Sequence, residues 1–306
     1  MVAGTAPLVV IAGPTGVGKT ATAVALASRL PIEVISADSR QVYCGLDAAT
    51  GKPTAAERAL VRHHLIDIVD PPDRYHAARF RRDALGALDA IRSRGRLPVL
   101  VGGTGLYIRA LLRGLDPAPP ADPQFRAALA AVAERTGPHT LHNRLRQKAP
   151  ALAERLHPND TVRIIRALEL ARAGPVRMQA WSRPTGDFPV VYIGLTMERV
   201  RLVTRLRARC LAMASAGLAA EVERLLARGY DETLPALQGI GYRDFVQVVR
   251  HGASAAEALA TMQRDTIRYA KRQLTWFRRE PDIEWIDVEA EGGPSGVAAL
   301  VEERLA

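Results

Sequence analysis

Leu8-Val9-Val10-Ile11-Ala12-Gly13-Pro14-Thr15-Gly16-Val17-Gly18-Lys19-Thr20-Ala21-Thr22-Ala23-Val24-Ala25-Leu26-Ala27 decides the fold class of this chain. Five apolar residues run without a break, as a strand buried on both faces does. They enter a glycine-rich turn, and a run of good helix formers leaves it. Residues 13–20 match G-x-x-x-x-G-K-[ST], the P-loop pattern, in the strand–turn–helix setting it requires. The glycines let backbone N–H groups turn inward toward an anion, and the helix N-terminus adds its partial positive charge. Gly13, Pro14, Thr15, Gly16, Val17, Gly18, Lys19 and Thr20 are therefore the candidate diphosphate cradle. Lys19 is expected to reach a phosphate oxygen and the Thr20 hydroxyl to hold Mg²⁺. A glycine turn of purely structural use is the competing reading. The pattern, whose ordinary meaning is nucleotide binding, says that phosphates bind but not whose.

Outward from this unit, strands are expected at 32–36, 97–101 and 190–195, and helices at 19–29, 55–61 and 75–94. The alternation predicts an α/β fold: a P-loop-type parallel sheet core flanked by helices. Residues 116–123, with four prolines, break the pattern and read as a linker or domain entrance. From about 124 to 183 the chain reads as helices with polar faces. The predicted layout is a catalytic core of 1–120 and 190–306, with C-terminal helices, interrupted by a helical insert at 121–189. One long helical pattern covers roughly 197–228. A second runs from Ser254, paired with Glu257 as a capping box, to about Arg279. The tail after 281 reads as peripheral.

Of the 306 residues, 48% are hydrophobic, enough for a packed core. Lys and Arg number 42 against 32 acids, a net charge of +10 that favours a polyanionic partner or an anionic membrane surface. Residues 126–183 hold eleven Arg and Lys and four acids, +7 of that excess. No apolar run approaches the roughly 18–20 residues of a membrane span. The N-terminus lacks the layout of a signal peptide. Cys44 and Cys210 are far apart and lack metal-ligand spacing. A cytoplasmic protein without disulfides or zinc is expected.

Asp38 follows the second strand. In open parallel sheets ligands sit beyond the carboxyl ends of the strands, so Asp38 is expected in the P-loop's crevice. It reads as a general base, as a Mg²⁺ partner, or as a helix N-cap. The third strand ends in Gly102-Gly103-Thr104-Gly105, where glycines allow close backbone approach and Thr104 offers a hydrogen bond. A tight strand-to-helix turn is the alternative. No acid follows that strand directly and no Asn-Lys-x-Asp occurs, which weakens ATPase and GTPase readings. His63 and His64, adjacent on a strand, point to opposite faces and read as structural. Gln238-Gly239-Ile240-Gly241-Tyr242-Arg243 is a glycine-hinged turn. In the last long helix Arg264, Arg268 and Lys271 share one face, and Tyr269, Gln273 and Trp276 a neighbouring one. The cations suit a phosphate backbone; the aromatics stack on an unpaired base or are simply buried.

These tags together resemble the tRNA dimethylallyltransferases, also called tRNA isopentenyltransferases. The resemblance runs along nearly the whole chain: Gly-Pro-Thr-x-x-Gly-Lys-Thr at 13–20, Asp-Ser-x-Gln-Val-Tyr at 38–43, Thr-Gly-Lys-Pro at 50–53 and His-His-Leu-Ile-Asp at 63–67. Gly-Gly-Thr-Gly-Leu-Tyr at 102–107, His-Pro-Asn-Asp at 157–160, Ile-Gly-Tyr-Arg at 240–243 and Lys-Arg-Gln-x-Thr-Trp-Phe-Arg at 271–278 complete it. Gly16-Val17 replaces the commoner Ala-Ser of the loop. The lack of a C-terminal zinc finger resembles the bacterial form.

The resemblance implies transfer of a dimethylallyl group from dimethylallyl diphosphate to the exocyclic N6 of the adenosine 3′ of the anticodon in tRNA. Lys19, Asp38 and Thr104 are then the catalytic candidates, with Asp38 as base and Mg²⁺ on Thr20. The target base must leave its stack to reach the crevice. The resemblance assigns contacts with the anticodon arm to Asp38, Ser39, Arg40, Gln41, Thr104, Arg126, Val162, Arg163, Ile164, Ile165 and Arg166. It adds Gln238, Gly239, Ile240, Gly241, Tyr242, Arg243, Lys271, Arg272, Gln273, Trp276 and Arg278. A monomer is expected. Two other readings are a P-loop small-molecule kinase, which leaves the basic insert unused, and a nucleotide-gated RNA-binding protein without chemistry.

Overall fold

Both faces of Leu8–Ala12 are apolar, and both are buried. In the computed structural model, which describes residues 6–115, 119–174 and 189–306, Val9 and Ile11 enter one core and Leu8, Val10 and Ala12 another. That is the two-residue period of a strand inside a covered sheet. The strands are β1 (Leu8–Ala12), β2 (Ile32–Ala37), β3 (His63–His64), β4 (Leu97–Gly102), β5 (Val190–Thr196) and β6 (Glu284–Asp287). They form one sheet in the order β3-β2-β4-β1-β5-β6, and every neighbouring pair is parallel.

Helices α1 (Lys19–Ala27), α2 (Ala55–Leu60), α3 (Ala77–Ser93) and α4 (Gly105–Arg113) fall between the early strands. Ala23 and Leu26 of α1 cover one face of the sheet. Phe80 and Leu88 of α3, with Ile108 and Leu111 of α4, cover the other. Helices α5 (Pro123–Thr136), α6 (Pro138–Lys148), α7 (Pro150–Ala153) and α8 (Thr161–Ala173) follow, around a core of their own that includes Leu129, Leu141, Leu145, Ile164 and Leu168. Each of α5, α6 and α7 opens on proline, whose fixed φ and missing N–H suit a first helical turn. The chain accordingly divides into Met1–Gly114 with Pro184–Ala306, and Leu115–Arg183.

After β5 come α9 (Arg199–Ser215), α10 (Leu218–Ala227), α11 (Tyr242–His251), α12 (Ala255–Phe277) and α13 (Pro294–Glu303). The pattern expected as one helix over 197–228 is thus two, broken where Gly217 takes the left-handed φ of 100°. A third cluster joins Val42, Tyr43 and Leu46 to Leu218 and Val222 of α10 and to Tyr242 and Phe245 of α11. It anchors the segment that follows β2.

The tail is not peripheral, contrary to expectation. β6 extends the sheet beside β5, and Val297, Ala298 and Val301 of α13 are fully buried in the core that holds α1. Four residues of strand and a helix of small side chains leave little periodicity to read. The Ser254 side chain accepts the Glu257 N–H at 3.4 Å, as expected of an N-cap, while the reciprocal capping box forms at Thr54 and Glu57 of α2. The reading of residues 1–5, part of the proline-rich entrance (116–118), and Arg177 and Arg183 lie outside the described residues.

Candidate active site

Because β2, β4 and β1 are neighbours, the residues after each emerge together at the carboxyl edge of the sheet. These are Asp38, the Gly102–Gly105 turn and the P-loop. A Cβ on Gly102 would lie 2.2 Å from the Ala37 carbonyl oxygen, so β4 ends this close to β2 only with glycine there. The Thr104 N–H donates to that Ala37 oxygen at 3.2 Å, and the Ser39 N–H donates to Thr104 Oγ1 at 3.1 Å. The two strand ends are thereby tied, with Asp38 and Thr104 on adjoining turns.

In the P-loop, Gly16 takes φ 81°, and a Cβ there would meet a Leu206 δ-methyl at 2.6 Å. Two loop N–H groups have internal partners. That of Thr15 donates to Gln273 Oε1 at 2.8 Å and that of Val17 to the Pro14 carbonyl at 3.4 Å. The Val17 side chain is fully buried in the core, so its place in the cradle is structural. The first turn of α1 has no intrahelical partners for its amides, which leaves those of Lys19 and Thr20 to meet an anion. Lys19 Nζ donates to the carbonyls of Gly13 at 3.0 Å and Pro14 at 2.7 Å. Burial lowers its pKa to about 7; Asp38 acts against that shift and Arg209 with it.

Asp38 Oδ1 accepts the N–H groups of Arg40 at 2.8 Å and Gln41 at 3.3 Å. This closes a turn rather than capping a helix, since none begins there. The structural and chemical readings of Asp38 therefore coexist. One oxygen orders the turn, and the charge acts on Lys19, Tyr107, Arg209 and Tyr269. The Gln41 side chain accepts from Ser36 Oγ at 2.8 Å and donates to the Gly51 carbonyl at 2.9 Å.

Arg209 escaped the sequence reading. Its guanidinium lies against Gly51, where a Cβ would come within 1.7 Å of Nη2. Burial lowers its pKa, opposed by Asp38. It is one of five arginines in α9, at 199, 201, 205, 207 and 209, and only the fold distinguishes it. His63 Nδ1 meets the Val61 carbonyl at 2.8 Å and His64 Nε2 meets Glu33 at 2.7 Å, as structural histidines. Among the described residues no cluster of His, Cys, Asp and Glu is arranged to hold a metal.

Several residues expected on a nucleic-acid surface lie elsewhere. Ile164 and Ile165 point into the insert's own core, and Tyr242 is buried with its hydroxyl on Glu221. Their side chains face the protein interior; the resemblance covered consecutive residues without regard to helical face. Gln273 is also buried. Arg126 Nη2 pairs with Glu169 at 2.7 Å, and Arg166 pairs with the same carboxylate. Burial raises Glu169's pKa, but the bonds from Arg126, the Asp122 N–H and Arg166 outweigh it and hold the group at about 2. Val162 and Arg163 are exposed, as are Lys271 and Arg272 on α12 and Arg278 at its C-cap. Trp276 is half-buried, with the Arg109 guanidinium 4.3 Å from its ring centre. Gln238 Nε2 donates to the Glu232 carbonyl at 2.8 Å, Arg40 Nη1 lies 2.6 Å from the Pro235 carbonyl beside Gly239, and Arg243 pairs with Asp265. Ile240 packs against the third cluster, and Gly241 donates its N–H to Asp244 at 2.9 Å.

These features define a P-loop α/β protein whose phosphate cradle faces a carboxylate on the next strand end. Known proteins agree. Residues 41–280 match the family model described as IPP transferase, and residues 6–68 match that of isopentenyl transferase. The chain is 49% identical to "tRNA dimethylallyltransferase 1" of Syntrophotalea carbinolica over 92% of its own length and 91% of that protein's. It is 45% identical to "tRNA dimethylallyltransferase" of Thermomicrobium roseum over 98% and 92%. Among solved structures, the full-length tRNA isopentenylpyrophosphate transferase of Bacillus halodurans superposes with a TM-score of 0.72 at 40% identity, covering 98% of this chain and 97% of that one. A eukaryotic dimethylallyltransferase, solved acting on tRNA, superposes with a TM-score of 0.72 at 25% identity, over 92% and 74%. The chain belongs to the IPP transferase family and is an enzyme of the prenyltransferase class.

Proposed function

We propose that this enzyme transfers the dimethylallyl group of dimethylallyl diphosphate to N6 of the adenosine 3′-adjacent to the anticodon in tRNA, releasing diphosphate. The carrying observation is a P-loop whose lysine feels the charge of Asp38, tied across the Ser39–Thr104 hydrogen bond to a second glycine turn. A prenyl diphosphate offers the loop the same anion a nucleotide does, but here the diphosphate departs. N6 attacks the prenyl C1, the C1–O bond breaks, and its electron pair leaves on the diphosphate. The N6 proton passes to an Asp38 carboxylate oxygen, which offsets the poor nucleophilicity of a delocalised amine. Lys19, Arg209 and the first amides of α1 stabilise the charge that develops on the leaving group.

The donor set fits Mg²⁺ held largely by substrate. Thr20 supplies a hard hydroxyl oxygen at the start of α1, and the described residues form no acidic cage. When bound, the ion neutralises charge on the diphosphate. The exposed cations Arg163, Lys271, Arg272 and Arg278 are the phosphate contacts for the anticodon arm. The protein acts as a monomer in the cytoplasm; no described helix is long and apolar enough to cross a membrane. Labelled dimethylallyl diphosphate with tRNA, run against labelled ATP with small acceptors, tests the reading. Label on tRNA supports it, and label from ATP on a small acceptor replaces it with a kinase.

A further inference from the structure

Gln41 is bonded within the protein through both its backbone and its side chain. Its N–H donates to Asp38 Oδ1 at 3.3 Å, and its carbonyl accepts the Asp67 N–H at 3.1 Å. Its side-chain Oε1 accepts from Ser36 Oγ at 2.8 Å while Nε2 donates to the Gly51 carbonyl at 2.9 Å. A carbonyl only accepts, so the carboxamide nitrogen must face Gly51 and its oxygen Ser36. Ser36 is buried near the end of β2, two residues before Asp38.

Gly51 is the floor on which Arg209 rests. A Cβ there would fall 1.7 Å from Arg209 Nη2, so the guanidinium lies directly on the Gly51 backbone. Among the described residues that guanidinium has no hydrogen-bond or ion-pair partner. Packing against Gly51 therefore sets where its charge sits. The segment leading to Gly51 is anchored at its start, where the Asp47 and Ala48 N–H groups donate to Glu221 Oε1 at 2.9 and 3.1 Å. The Gln41 carboxamide ties its other end.

We propose that Gln41 is a positioning residue that holds Gly51, and with it the Arg209 guanidinium, in register with Asp38. One residue then spans the reaction: its backbone orders the carboxylate that takes the N6 proton, and its side chain sets the cation that meets the leaving group. The inference rests on the prenyl-transfer reading and moves the Gln41 side chain from the tRNA surface to the diphosphate side of the site.

The test uses wild type, Gln41→Met, Arg209→Ala and the double variant. Calorimetry with inorganic diphosphate and Mg²⁺ gives Kd, and steady-state prenyl transfer gives kcat and both KM values. Gln41→Met keeps the length of the side chain and removes its hydrogen bonds. It should weaken the diphosphate Kd by roughly tenfold to a hundredfold, the scale for losing a hydrogen bond to a charged group. The KM for tRNA should stay within about twofold of wild type. In the Arg209→Ala background the same substitution should change Kd by no more than about twofold. An equal loss in both backgrounds, a wild-type Kd in Gln41→Met, or an effect on the tRNA KM alone overturns the proposal. Melting temperatures check folding; a general destabilisation would act in both Arg209 backgrounds, so their comparison still decides. Absence of prenyl transfer by wild type discards the functional reading, while the diphosphate Kd still decides the role of Gln41.

Discussion

Lys19 permits a prediction worked through from the structure. Its ammonium is enclosed by the loop, and burial lowers its pKa to about 7, with Arg209 adding to the shift and Asp38 opposing it. A diphosphate beside Nζ places negative charge within hydrogen-bonding reach and restores the charged form. At pH 8, about one unit above its pKa, free Lys19 holds roughly a tenth of a proton, whereas the complex holds a full one. Binding at pH 8 therefore takes up about 0.9 proton, and at pH 6 almost none. The sign follows: affinity falls as pH rises above 7, by about tenfold or 1.36 kcal/mol per unit, until the pKa of the complex is reached. Between roughly pH 7.5 and 9 the terminal phosphate, with a second pKa near 6, is already ionised and adds no slope. Calorimetry with dimethylallyl diphosphate in two buffers of different ionisation enthalpy measures both the Kd and the proton uptake. Lys19→Arg, which stays charged, should show neither slope nor uptake. A Kd constant from pH 7.5 to 9 in the wild type, or a slope surviving in Lys19→Arg, refutes the reasoning.

Three further outcomes are expected. Asp38→Asn keeps an oxygen for the Arg40 and Gln41 amides, so it should fold, bind tRNA, and lose roughly 10²–10⁴ in turnover; wild-type turnover would remove Asp38 from proton transfer. Arg163→Ala, at an exposed end of α8, should weaken tRNA binding and lower the slope of log K against log salt by about 0.7–0.9. An unchanged slope counts against a phosphate contact there. Val301→Ala, on the buried face of α13, should cost about 2 kcal/mol in denaturant unfolding; a negligible loss would mean that the C-terminal helix unfolds apart from the core.

Most of the site was legible because it lies on strand ends. A P-loop between an apolar run and a helix, an Asp after the next strand and a glycine turn after a third can only converge in a parallel sheet. The helical residues were harder. Ile164, Ile165 and Tyr242 were grouped with tRNA contacts because a family tag spans consecutive positions, while a helix sends consecutive side chains to different faces. Gln273, grouped with the tRNA contacts, is a buried strut between the P-loop and Gly103. Arg209 carried no local signal, since its role comes from lying against Gly51, 158 positions away by residue number. The tail hid its strand in four residues, too few for a period to show.

Nucleoside analysis by mass spectrometry, on a full tRNA pool incubated with the enzyme, Mg²⁺ and dimethylallyl diphosphate, tests the central claim most directly. Prenyl transfer to an exocyclic amine predicts N6-dimethylallyladenosine, formed with wild type and nearly abolished with Asp38→Asn. A pool without any N6-prenylated adenosine would contradict it.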